Sequence, residues 1–296
     1  MTAGGPGAVF WMWVSAFLGM ATAYGETVLG IRYREKDQSG GWMAGPMMYL
    51  EKRLGCPRAA VLYGFFCIPA AFGMGSMVQA NAISETVSYV YGIPEAAVGV
   101  ILVALVVIFL HAGRVPGVLM EIMADAFSFR SAAEELQGQW AIFEVFFDTI
   151  VSCTLTALVI LCVAGSGTAA ESGAENGASL TSLCFFTALE SPGGYAVAVC
   201  VVLFTFSTVI AWYYMGRQAA EYLGGKISGK IPAVYTAGYL LAAFLGCLGA
   251  METVWEISDI FNGLMAAPNL AALVMLAGEI HSPGENGVLR PPPGRS

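Results

Sequence analysis

Charge is scarce in this chain. Only 11% of its 296 residues are Asp, Glu, Lys or Arg, against about 25% in an ordinary soluble domain. With 57% hydrophobic residues, a water-soluble fold of this size could not hide its apolar surface, because much of any folded surface must face solvent. Histidine is nearly absent: His111 and His281 are the two, too few for a His-based metal site. The seven cysteines, Cys56, Cys67, Cys153, Cys162, Cys184, Cys200 and Cys247, include no CxxC pair. Most lie in or beside apolar runs, where a thiol acts as a small hydrophobe. The net charge of −8 argues against a nucleic-acid partner, since phosphate binding needs a clustered basic face. No nucleophile–base pair or metal cluster stands out, so neither an enzyme nor a bound cofactor is expected.

Apolar length is what the chain has. A bilayer core needs roughly 20 apolar residues in helical form, and candidate spans cover 8–30, 60–82, 95–110, 139–164, 193–216, 231–250 and 260–279. Open strands would leave backbone groups unpaired in lipid, so an all-α polytopic helical bundle of about seven helices is expected. The loop 31–59 carries Arg32, Arg34, Lys36, Lys52, Arg53 and Arg58, and 217–230 carries Arg217, Lys226 and Lys230, whereas 83–94 and 165–192 carry no Lys or Arg. The positive-inside rule places 31–59, 217–230 and the tail in the cytoplasm and the N-terminus outside. The start MTAGGPG has no basic region of the kind that opens a cleavable signal. Residues 1–281 read as one membrane domain and 282–296, ending RPPPGRS, as a disordered cytoplasmic tail. The Gly/Ala/Ser-rich stretch 165–192 reads as an external loop with a short interfacial helix near 183–189. The stretch 112–138 is too polar to span.

Polar residues inside the apolar runs are the site candidates, because a charge at the centre of a membrane helix costs about 2.5–3.5 kcal/mol on insertion scales. Asp148, one turn after Glu144, is either a carboxylate on a cation path or a tether to a neighbouring helix. Gln79 and Asn81 follow FGMGSM, where Gly73 and Gly75 permit a close backbone approach. An amide there can hold a zwitterion's carboxylate or simply bond another helix. Ser207, Thr208 and Trp212 lie in LFTFSTVIAWYYMG. The hydroxyls offer hard oxygens for an alkali cation and the indole a wall for a small side chain, or the hydroxyls bond their own helix one turn back. Pro268 and Asn269 interrupt the last span, and Glu256 and Asp259 precede it.

Several long stretches together resemble the alanine/glycine:cation symporter family: GGPGAVFWMWVSAFLGMATAYGET, YREKDQSGGWMAGPMMYLEKRLG, AGRVPGVLMEIMADAFSF, FEVFFDTIVSCTLTALVIL, FSTVIAWYYMG with EYL, and WEISDIFNGLMAAPNLAALVML. The resemblance covers most of the chain in family order. It implies a leucine-transporter-type fold of two inverted five-helix repeats, with amino acid and sodium held near mid-membrane. It also implies sodium-coupled symport of small neutral amino acids, alanine and glycine, across the plasma (inner) membrane. Carried over residue by residue, Gln79, Thr208 and Trp212 match substrate contacts, and Ser207 with Thr208 sit where this fold places sodium-binding hydroxyls. Against the family's pattern the first, fifth and sixth core helices are missing or mostly missing, so the expected fold is incomplete. Losing the fifth and sixth together would leave later helices in their original orientation. The alternative reading is a non-transporting remnant, since the absent helices carry the broken segments that bind sodium and substrate.

Overall fold

The computed structural model describes residues 7–36, 42–111, 134–165, 177–226, 229–249 and 252–280. The polar stretch 112–133, residues 166–176 of the expected external loop, and the tail 282–296 lie outside the described residues. Helix dominates, as a backbone that must satisfy its own N–H and C=O groups in hydrocarbon requires. In chain order the helices are α1 (Gly7–Arg32), α2 (Pro46–Lys52), α3 (Pro57–Ala70), α4 (Val78–Tyr91), α5 (Glu95–His111), α6 (Glu134–Val145), α7 (Cys153–Gly165), α8 (Gly177–Lys226), α9 (Ile231–Gly246), α10 (Glu252–Met275) and α11 (Ala277–Ile280). Two π-helical stretches, Ala71–Met77 and Phe146–Ser152, run α3 into α4 and α6 into α7. A two-residue antiparallel pair, β1 (Glu35–Lys36) with β2 (Trp42–Met43), is the one strand pairing among the described residues.

Among the described residues, five helical rods are long and apolar enough to cross a membrane: Gly7–Arg32, Pro57–Tyr91, Glu134–Val163, Pro192–Gly225 and Thr253–Met275. The other two expected spans are shorter, Glu95–Leu110 and Ile231–Gly246. The 16 residues of α9 give about 24 Å of helix at 1.5 Å per residue, less than the ~30 Å hydrocarbon core. Within the expected external loop, Leu180–Glu190 forms a further short apolar helix. It is the first part of α8, which breaks at Glu190 (φ 58°, ψ −174°) ahead of Pro192. Proline there removes a backbone donor and disfavours helical geometry in the residue before it.

Contacts at the helix ends show how the rods run. Arg32, the last residue of α1, pairs with Glu134 at the start of α6. The Gln218 side chain accepts a 2.8 Å bond from the Ala44 amide, Tyr222 donates to Glu51 at 2.7 Å, and Arg53 pairs with Glu279. The loop 31–59, the end of α8 and α11 therefore share one end of the bundle, which we call the basic end. At the far end the rings of Tyr91 and Tyr195 lie 5.9 Å apart and Ser84 bonds the Cys247 carbonyl. The α3–α4 rod thus leaves the basic end while α8 returns to it, so the two pack antiparallel. Because α1 finishes where α6 begins, the rods after 112–133 keep the alternation begun before it.

Two large apolar clusters and a small one of Val163, Leu180 and Cys184 are buried among the described residues. Of the large two, the one at the basic end includes Leu29, Tyr49, Tyr63, Leu223 and Leu273, and the other gathers Val106, Val209, Tyr213, Tyr235 and Tyr239 around the first π stretch. Outward faces are apolar too: Phe10, Trp11, Phe17 and Leu18 of α1 are exposed, as expected where lipid replaces water.

Candidate substrate and sodium site

The sequence AFGMGSM adopts π-helical geometry from Ala71 to Met77. Such turns insert a residue into the helical ladder and recur at functional sites. Here the stretch is where three other helices come closest. A methyl group at Gly75 would overlap Trp212 of α8, and one at Gly73 would overlap the Ser258 side chain of α10. The close backbone approach expected at these glycines is therefore met by protein side chains. From α9, Tyr239 places its hydroxyl 3.1 Å from the Gly75 carbonyl and 2.7 Å from that of Val209, and its own carbonyl accepts a 3.1 Å bond from Ser76. One buried phenol thus ties the π stretch to α8 at the level of Gly75.

Gln79 is half-buried one turn beyond Gly75, and its amide donates to the Met74 carbonyl at 3.3 Å. Thr208 lies one turn before Trp212 on α8. Since the two rods are antiparallel and Gly75 touches Trp212, Gln79 and Thr208 stand at similar depth on neighbouring helices. Asn81 instead reaches the far end, donating to the Gly249 carbonyl at 3.2 Å.

Ser207 and Thr208 both donate to the Phe204 carbonyl, at 2.7 and 2.9 Å. This is the local bonding that hydroxyls commonly adopt in helices. It consumes the proton of each hydroxyl and leaves oxygen lone pairs as acceptors, the part a cation would use. Ser207 is exposed and Thr208 half-buried. Asp148 lies inside the second π stretch, Phe146–Ser152, which packs on α1. It is half-buried and forms no hydrogen bond or ion pair with a described residue, so the tethering alternative has no partner there. Glu256 and Asp259 are exposed on α10.

A third polar group was not among the sequence candidates. Glu26 lies in α1, and its Oε1 accepts a 2.7 Å bond from the Asn269 amide of α10. Asn269 in turn accepts a short bond from the hydroxyl of Tyr49 in α2. The signal was available, because Glu26 is the single carboxylate within the apolar run 8–30.

The sequence pattern of the sodium:alanine symporter family matches residues 1–110 and 134–283. The chain belongs to that family. Its members are membrane transporters, not enzymes, and the family supports sodium-coupled amino-acid transport. The sodium/alanine symporter AgcS of Methanococcus maripaludis is 34% identical, the match covering 94% of this chain and 77% of that protein. An uncharacterized transporter of Haemophilus influenzae is 30% identical over 93% and 75% of the two chains. The probable sodium/glutamine symporter GlnT of Bacillus subtilis is 28% identical over 93% and 70%. A match running over 352 positions cannot be filled by 296 residues, so at least 56 positions of AgcS face no residue of this symporter-family chain. The interruption of the family match at 111–133 falls where the fifth and sixth core helices are expected.

Proposed function

We propose that this chain carries small neutral amino acids, alanine and glycine, together with sodium across the plasma membrane, its basic end facing the cytoplasm. The observation that supports this most is the seating of Trp212 on Gly75 beside the level of Gln79 and Thr208. In this reading the indole, packed directly on the Gly75 backbone, is a wall beside the substrate's small side chain. Gln79 would hold the substrate's carboxylate and Thr208 its opposite side, with Ser207 and Thr208 offering oxygens to sodium. The name of AgcS points to alanine and that of GlnT to glutamine, so side-chain size is the property to test. Purified chain in liposomes, given an inward sodium gradient and labelled alanine, should show gradient-dependent uptake that glycine competes away and glutamine does not. Competition by glutamine equal to that by glycine would refute the small-substrate assignment.

A second reading is favoured by the positions of AgcS that this chain does not fill. If the missing segments are those that supply unwound backbone to the ions and substrate, side chains from one wall remain without their partner. Losing half a coordination shell weakens binding by orders of magnitude, since each 1.4 kcal/mol is a factor of ten. The same uptake experiment decides. Gradient-driven uptake lost in Thr208→Ala supports the carrier, and its absence in folded protein supports a chain that no longer transports.

A further inference from the structure

We propose that Glu26, with Asn269 and Tyr49, forms a proton-binding site inside the membrane near the basic end. Glu26 stands six residues before the end of α1 at Arg32, about 9 Å along the helix at 1.5 Å per residue. Three helices meet at it. Asn269 of α10 is 7% exposed and Tyr49 of α2 is fully buried. On the neighbouring helical position, Gly25 packs against Leu273 and Ile280. Leu29, Leu273 and Leu276 belong to the apolar cluster at this end.

Among the described residues no cation neutralises the carboxylate. Arg32 is held by Glu134 and by the Glu279 carbonyl, Arg53 by Glu279, and Lys52 by Glu35. Glu26 itself makes no ion pair with a described residue. Of the elements packed on this part of α1, α2 brings Tyr49, α3 brings Tyr63, α10 brings the uncharged Asn269, α6 brings the already paired Glu134, and α11 brings the already paired Glu279. Among the described residues an ionised Glu26 therefore has one hydrogen bond for its charge. Its Oε2 has no hydrogen-bond partner among the described residues and is the open position for a proton.

A metal ion is the poorer ligand here. Alkali and alkaline-earth cations need several converging oxygens, and Asn269 turns its NH2 toward Glu26 and its oxygen toward Tyr49. A proton suits the trio in both states. With Glu26 ionised, the Asn269 NH2 donates to Oε1 and Tyr49 donates to the Asn269 oxygen. With Glu26 protonated on Oε2, Oε1 remains a carbonyl acceptor for the Asn269 NH2 and Tyr49 still donates to the Asn269 oxygen. Both bonds survive unchanged. The exchange is one proton from the solution at the basic end, bound to a carboxylate oxygen and released to the same solution. It does not depend on whether the chain transports.

The test is infrared difference spectroscopy of the full chain in lipid nanodiscs across a pH series, following the C=O stretch of protonated carboxyl groups. The expected result is a band that titrates as one proton, is absent from Glu26→Gln, and shifts in Asn269→Ala because its hydrogen-bond partner is gone. Circular dichroism and monodispersity check that each variant is folded. If Glu26→Gln fails to fold, the shift in Asn269→Ala decides. A titrating band that persists in Glu26→Gln, the absence of any such band from the unaltered chain, or a band indifferent to Asn269→Ala would each overturn the proposal.

Discussion

The two ends of the bundle are held by different chemistry. Every described Lys and Arg lies toward the basic end, where side chains bind side chains across the fold: Arg32 to Glu134, Arg53 and Tyr33 to Glu279, and Tyr222 to Glu51. At the far end, uncharged side chains serve backbone carbonyls. Ser84 donates to Cys247 and Asn81 to Gly249, just past the end of α9, while Ser88 donates to Ile93. The last carbonyls of a helix have no partner within it, so α4 supplies donors from outside. The consequence is an asymmetry of response. The basic end should feel pH and salt, and the far end should not.

Between the ends, Gly75 supports both. Gly75→Val would drive a branched side chain into Trp212, where the nearest atoms belong to the stem of the indole and cannot swing aside. Overpacking of this kind typically costs 1–3 kcal/mol and occasionally more, so we expect about 3 kcal/mol or loss of the folded state. Hydrogen exchange should rise at both ends together. A rise confined to one end would mean that the ends are not joined through the π stretch.

Arg32→Ala comes next. It removes the ion pair to Glu134 and a 2.6 Å bond to the Glu279 carbonyl, both partly buried. The loss should fall between the values for exposed and for buried pairs, about 2 kcal/mol, seen as a lower midpoint in thermal unfolding. Faster exchange should be restricted to the basic end. Ser84→Ala is the matching change at the far end. It leaves the Cys247 carbonyl without that donor, for about 1 kcal/mol, and its effect should be the same in low and high salt. Equal salt dependence for the two variants would erase the contrast between the ends.

Acid sharpens the same contrast. Partial burial works against the charge on Glu279, but the bonds from Arg53 and Tyr33 outweigh it and hold the carboxyl below its ordinary value. Burial and the bond to Glu279 push the Tyr33 hydroxyl up to about 12. A carboxyl lowered in the folded state contributes stability above its unfolded value, and that contribution disappears as pH falls through the folded value. Thermal midpoints should therefore drop on acidification below about pH 4.5, and Glu279→Gln should remove part of that dependence. The smallest effect is expected from Lys52→Ala. Its pair with Glu35 is exposed, with side chains 45% and 43% accessible, so the change in stability should be under about 0.5 kcal/mol.

Some of this was open to reading from composition. Apolar length located five long spans and two shorter helices of the seven expected, and the Lys/Arg bias grouped 31–59 with Arg217 and its neighbours at one end, as the contacts there show. Each depends on a property of the residue itself, transfer between water and lipid or charge, which needs no partner. Gln79 and Trp212 were singled out from type and spacing, and the fold does bring their helices together at Gly75. The hydroxyls of Ser207 and Thr208 could be seen, but not that both bond Phe204 in their own helix, because either choice suits the same local sequence.

What the sequence determined by itself is a helical membrane chain with its basic loops on one side and the residue pattern of its family. Hydrophobic transfer and charge add along the chain and survive any rearrangement of neighbours. The tertiary structure alone decided where the chain departs from a regular helix and what each buried polar atom meets. Trp212, Ser258 and Tyr239 close on the small residues of the π stretch AFGMGSM. Glu26 is joined to Asn269, a residue 243 positions away, since a hydrogen bond depends on distance and direction in space rather than on order in the chain.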